Sequence, residues 1–167
     1  MTAAFGALVA LNSALARLCT VLISALLGVI VLTMMLSVVM RYVFTSPLTW
    51  SDDLSLICLV WMTMLGLAAG MRAGHLAIEG VVGALPHTLA RLVGVAVHGA
   101  VLLLAILVAY YGIAFVRQGM ARIVPSMDWL RQGYIYAAIP AGFALTVPFC
   151  LEGILSPFLA PPDREAV

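Results

Sequence analysis

The sequence predicts an all-α integral membrane protein. It reads as one membrane domain over residues 1–167, with four transmembrane helices and an amphipathic interfacial helix between spans two and three. Three observations carry that reading. First, 65% of the residues are hydrophobic and 9% are charged, with a mean hydropathy of +1.18. A soluble domain averages about 45–50% apolar and about 25% charged. A soluble domain of ~150 residues also leaves roughly a third of its surface in water, so this much apolar side chain would have nowhere to go. Second, four uncharged apolar runs are each long enough to cross a bilayer. Third, one further segment is apolar on one face and polar on the other, and too short to cross.

The spans follow in order. Leu18–Met40 lies between Arg17 and Arg41, Leu54–Met71 between Asp53 and Arg72, and Leu92–Val116 between Arg91 and Arg117. Gly133–Leu151 ends at Glu152. At 1.5 Å per residue these reach roughly 27–38 Å, against a hydrocarbon core of about 30 Å. Pro140 and Pro148 predict a kink in the fourth, where the freed carbonyls need neighbouring helices. Residues 1–16 are apolar and lack a positively charged leader, so they read as an amphipathic lead-in to the first span. Between spans two and three, Leu76, Ile78, Val81, Val82, Leu85 and Leu89 fall mostly at helical spacing. Arg72, His75 and Glu79 share the polar stripe. This predicts an interfacial helix over about 75–85, with an ordinary loop as the alternative.

Charge does not orient the protein. Both termini lie on one side of four spans. Arg17, Arg72, Arg91 and Arg164 then balance Arg41, Arg117, Arg122 and Arg131. Arginine supplies every basic residue, there is no lysine, and no basic run suits nucleic acid. Cys19, Cys58 and Cys150 each stand alone in apolar sequence and read as packing residues.

The chemistry of a catalyst is missing from the sequence. It has no phosphate-binding loop, no dinucleotide fingerprint and no zinc-protease motif. Within the four spans His98 is the only ionisable residue of the kind that marks proton or ion pathways. No metal, cofactor or enzymatic activity is expected. The chain reads as a partner of the machine that moves charge. The rival readings are a membrane anchor of a haem- or quinone-binding redox complex and a stand-alone exporter. The first needs a second histidine inside the membrane, the second a buried charge.

Packing features are present instead. Gly66 and Gly70 form a Gly-x-x-x-Gly pair, and Gly94, Ala96, Gly99 and Ala100 cluster in span three. Gly28 follows Ser24 in span one. Such residues let helix backbones approach, either within the four-helix unit or against another subunit. In the loop after span one, Tyr42, Phe44 and Trp50 suit headgroup level, and Pro47 breaks the chain. Thr49 or Ser51 can cap the next helix. Asp52 and Asp53 then fall in its first turn, where the helix dipole favours anions. The alternative for the acidic pair is a contact with a partner's Arg or Lys. Trp61 sits in mid-span and needs a partner for its N–H. Asp128, Trp129 and Arg131 repeat the acid–aromatic–base pattern before span four.

Taken together these residues resemble the DctQ family, the small membrane subunit of tripartite ATP-independent periplasmic (TRAP) transporters. The match runs through Arg41-Tyr42-Val43-Phe44, Pro47, Trp50 and Asp52-Asp53 to Trp61 and Leu65-Gly66. It continues through Arg72, Gly74-His75, Glu79 and Leu85-Pro86 to Pro125, Trp129 and Ile139-Pro140-Ala141. Asp53 stands where the family more often has Glu, and Ala141 where it more often has Val. The resemblance implies a non-catalytic scaffold or anchor subunit in a bacterial inner membrane, with both termini cytoplasmic. It would belong to a secondary, sodium-coupled importer of organic acids. The implied partners are a large multi-span membrane subunit, a periplasmic substrate-binding protein and the lipid bilayer. Arg41, Trp50, Asp52, Asp53, Trp61, Gly66, Gly70, Arg72, His75, Glu79 and Trp129 are the interface or anchoring candidates.

Overall fold

The computed structural model describes residues 2–73 and 87–159. The predicted interfacial segment over 75–85 lies outside these residues. Helix α1 runs Thr2–Tyr42, α2 Ser51–Ala73 and α3 His87–Gly119. A two-stranded antiparallel hairpin follows, β1 Ile123–Val124 and β2 Met127–Arg131. A short helix α4, Gln132–Tyr136, leads into α5, Ala138–Leu159. Four stretches are long and apolar enough to cross a membrane: Phe5–Tyr42, Ser51–Met71, Leu92–Gly119 and Gln132–Leu155. The all-α, four-span architecture is as the sequence predicts.

Three details differ from the expectation. The lead-in is not a separate element, because α1 is continuous from Thr2. Its 41 residues extend about 62 Å, twice a hydrocarbon core of about 30 Å. Arg17 marks a change of environment, and the backbone ladder passes straight through it. The fourth helix likewise continues past Glu152 to Leu159. In the fourth span the helix is interrupted at Ala137, between α4 and α5. Pro140 has no N–H for the carbonyl of Tyr136, so the regular ladder fails there, while α5 runs through Pro148 unbroken. The hairpin is the third difference, a β element in the stretch before span four, where no strand was expected. Ile123-Val124 supply β-branched residues and Pro125-Ser126 the turn.

Helix α1 packs on α2, α2 on α5, and α5 on α3, with α1 also touching α5. The buried residues of α1 are Asn12, Cys19, Thr33 and Ser37, and those of α2 are Ser51, Ser55, Cys58, Leu65 and Ala68. Most of these are small, as expected where backbones pack closely in lipid. The large apolar side chains, among them Leu32, Met35, Leu92 and Leu103, face outward. The protein is turned inside out relative to a soluble bundle, since lipid tails solvate leucine as well as a protein core does.

Three glycine contacts close the remaining seams. A Cβ added at Gly142 would lie 2.8 Å from Met64 Cβ and 2.9 Å from its carbonyl oxygen, joining α5 to α2. One added at Gly119 would lie 2.8 Å from the Cα of Gly133, where the end of α3 crosses α4. Gly112 receives Pro140, with a Cβ-to-Cδ approach of 3.2 Å.

Candidate interface surfaces

At the end of the bundle that holds the α1–α2 turn, a polar network fixes the entrance to α2. Ser51 is fully buried. Its hydroxyl donates to the Leu48 carbonyl at 2.8 Å and shares a hydroxyl–hydroxyl bond of 3.0 Å with Ser37. Ser55 donates back to the Ser51 carbonyl at 2.8 Å. Ser51 therefore acts by tying the turn to α1, where capping of the helix was expected. Thr45 adopts a left-handed backbone, φ 51°, and the Ser46 amide closes onto the Met40 carbonyl at 3.1 Å.

The two aspartates differ. Both lie in the first turn of α2, where the dipole favours them. Asp52 is exposed, whereas Asp53 is half-buried and accepts a hydrogen bond from Ser126 in the turn of the hairpin. Asp53 thus latches the hairpin to α2 from within the same chain. The hairpin is further held by Arg131, whose guanidinium donates to the Met120 carbonyl at 2.7 Å, and by the Gln132 amide to Arg122 O at 3.0 Å. It presents Trp129, 77% exposed, with Ile123 also exposed, and Tyr134 is exposed beside it on α4. Trp61 is half-buried, and its indole N–H reaches the Tyr134 carbonyl at 3.3 Å, the partner its position required. Arg41 is exposed in the last turn of α1, and Trp50 is half-buried.

Asp53→Ala should free the hairpin and Asp52→Ala should not. The hydroxyl–carboxylate bond contributes about 1–2 kcal/mol in a half-exposed setting. The expected readout is faster proteolytic nicking near Ser126 in Asp53→Ala and Ser126→Ala alike, with Asp52→Ala at the wild-type rate.

The remaining candidates do not gather into one site. Among the described residues a Cβ on Gly66, Gly70, Gly28, Gly94 or Gly99 meets nothing within 4 Å, so each faces open space there. The glycines that spacing singled out therefore belong to free helix faces, and those that close seams, Gly112, Gly119, Gly133 and Gly142, went unremarked. Arg72 lies in the last turn of α2, while His75 and Glu79 fall outside the described residues. His98 is buried, and its Nδ1 donates to the Gly94 carbonyl at 2.8 Å. Among the described residues no three His, Cys, Asp or Glu side chains group as metal ligands. An open, wholly apolar groove of about 440 Å³ runs between α3 and α5, lined by Leu107, Val108, Tyr111, Gly112, Phe115 and Ile139.

A second polar cluster, missed in the sequence, joins the start of α1 to the end of α5. Asn12 is fully buried, and its amide donates to Pro148 O at 2.9 Å and Glu152 Oε2 at 2.5 Å. The only signal was an Asn inside an apolar helix, and no spacing rule ties residue 12 to residue 152.

Against known families, residues 30–160 match the family of tripartite ATP-independent periplasmic transporters, DctQ component. The chain belongs to the DctQ family. The match takes in more than three quarters of the residues, from mid-α1 to the end of α5. No curated protein matches the chain. As a DctQ component it is a multi-pass membrane protein and part of a TRAP transporter, and its helix packing is to be understood as that of one subunit among several.

Proposed function

We propose that this DctQ component is the non-catalytic scaffold of a sodium-coupled importer of organic acids. It packs against the large transport subunit in the bacterial inner membrane, with both termini cytoplasmic. The family match carries the reading. The spans support it: within the stretches Leu18–Met40, Leu54–Met71, Leu92–Val116 and Gly133–Leu151 the sequence holds no Asp, Glu, Lys or Arg. Substrate and ion sites would then lie on the large subunit, and the periplasmic binding protein would deliver the substrate. The open glycine face of α2 suits close approach by a neighbouring helix.

Affinity purification of the tagged protein from native membranes tests this. A stable complex with a large multi-span subunit is expected, and a purified complex should take up an organic acid under a sodium gradient. Recovery with flavin or iron–sulfur subunits and a haem spectrum would overturn it in favour of a redox anchor. Gly66→Leu with Gly70→Leu should leave the isolated subunit folded, because among the described residues an added Cβ at either position meets nothing within 4 Å, and should cut recovery of the large subunit at least tenfold.

A further inference from the structure

We infer that the Ser13–Arg17–Thr20 face of α1 is a binding site for a phosphoethanolamine lipid headgroup. This does not depend on the transporter reading. Ser13, Ala16, Arg17, Thr20 and Val21 line a shallow groove of about 500 Å³ along α1. They recur at i, i+3, i+4, i+7 and i+8, so they form one stripe. The stripe flanks the buried side of α1 that carries Asn12 and Cys19, with Ser13 and Ala16 half-buried and Arg17 and Thr20 exposed.

Depth assigns the stripe to the headgroups. Arg17 and Arg41 bracket the uncharged stretch 18–40 of one continuous helix, and lie about 36 Å apart along its axis. A bilayer is about 30 Å thick in its core and about 40–45 Å with its headgroups. Both guanidiniums therefore sit at headgroup level, on opposite leaflets. A hydroxyl- and guanidinium-bearing groove at that depth meets phosphate and amine before it meets any acyl chain.

Donors and acceptors then select the headgroup. Arg17 is exposed and offers only N–H donors, which suit phosphate. The two hydroxyls have already committed their protons: Ser13 donates to Ala10 O at 2.7 Å and Thr20 to Ala16 O at 2.9 Å. What they turn outward is lone pairs, which suit an ammonium. A donor flanked by two acceptors is the complement of a zwitterion. Phosphatidylethanolamine supplies both halves, whereas the glycerol headgroup of phosphatidylglycerol brings no cation. Val21, 65% exposed and on the side toward the bilayer centre, meets the first methylenes.

The test is native mass spectrometry of the full-length protein released from nanodiscs of equal phosphatidylethanolamine and phosphatidylglycerol. Retention of phosphatidylethanolamine over phosphatidylglycerol by about tenfold is expected, the equivalent of one charge-assisted hydrogen bond. Arg17→Ala should lose both lipids. Ser13→Ala with Thr20→Ala should keep phosphate binding and lose the preference, with helicity unchanged by circular dichroism. Equal retention by Arg17→Ala, or a preference for phosphatidylglycerol, would overturn the assignment. So would cross-linking of Arg17→Cys to a neighbouring subunit in place of lipid protection.

Discussion

Gly142→Ala should lower the thermal unfolding midpoint of the detergent-solubilised protein by several degrees, while Gly66→Ala and Gly70→Ala should raise it slightly. All three place a methyl group on a helix. Alanine is the better helix former by about 0.8–1 kcal/mol, and this gain is available at each position. At Gly66 and Gly70 no described residue opposes it, because the new Cβ meets none of them within 4 Å. At Gly142 the methyl group would meet Met64 Cβ at 2.8 Å, its carbonyl oxygen at 2.9 Å and its carbonyl carbon at 3.2 Å. A carbonyl of α2 cannot swing aside as the end of a side chain can, so the helices must separate. Overpacking of this kind costs about 1–3 kcal/mol and outweighs the propensity gain. Gly119→Ala should behave as Gly142→Ala does, since its neighbours are the Cα and N of Gly133 at 2.8 Å. An equal response at Gly66 and Gly142 would mean that the α2–α5 seam is not where the structure places it.

The contrast between those glycines shows what spacing reveals and what it leaves out. A Gly-x-x-x-Gly pair makes a smooth helix face, and that face is legible at Gly66 and Gly70. Which neighbour fills it is a property of the whole bundle, and Gly142 finds its neighbour 78 positions earlier in the chain, at Met64. The spans were legible because lipid excludes charge, so the uncharged runs identify them. Helix ends were less so. Arg17 and Glu152 interrupt apolarity, yet neither breaks a backbone hydrogen bond, and both helices continue past them. Asp53 was legible as a residue of the first turn of α2, and its bond to Ser126 was not, because it depends on how the hairpin folds back. The interfacial role proposed for His75 and Glu79 rests on sequence alone.

Glu152→Gln should stabilise the isolated protein, against the usual outcome for a residue with a buried partner. The Asn12 amide is enclosed by α1 and α5, and its nitrogen donates to both Pro148 O and Glu152 Oε2. Its oxygen is buried and accepts from no group among the described residues. A carboxylate has no proton to offer that oxygen, whereas a glutamine amide in the same place has two. A reciprocal Asn12–Gln pair would satisfy the orphan acceptor and keep the existing bond. Interhelical hydrogen bonds in membranes average about 0.6 kcal/mol and reach about 1.7, so the midpoint should rise by a few degrees at most. Asn12→Ala and Glu152→Ala should each destabilise by about 1–3 kcal/mol, because each strands a polar partner. The double alanine variant should cost less than the two single changes together, since the second removes a group the first had already stranded. Destabilisation by Glu152→Gln would show instead that the negative charge itself is required. In that case Glu152 answers a cation, and the start of α1 is held by an ion pair extending beyond Asn12.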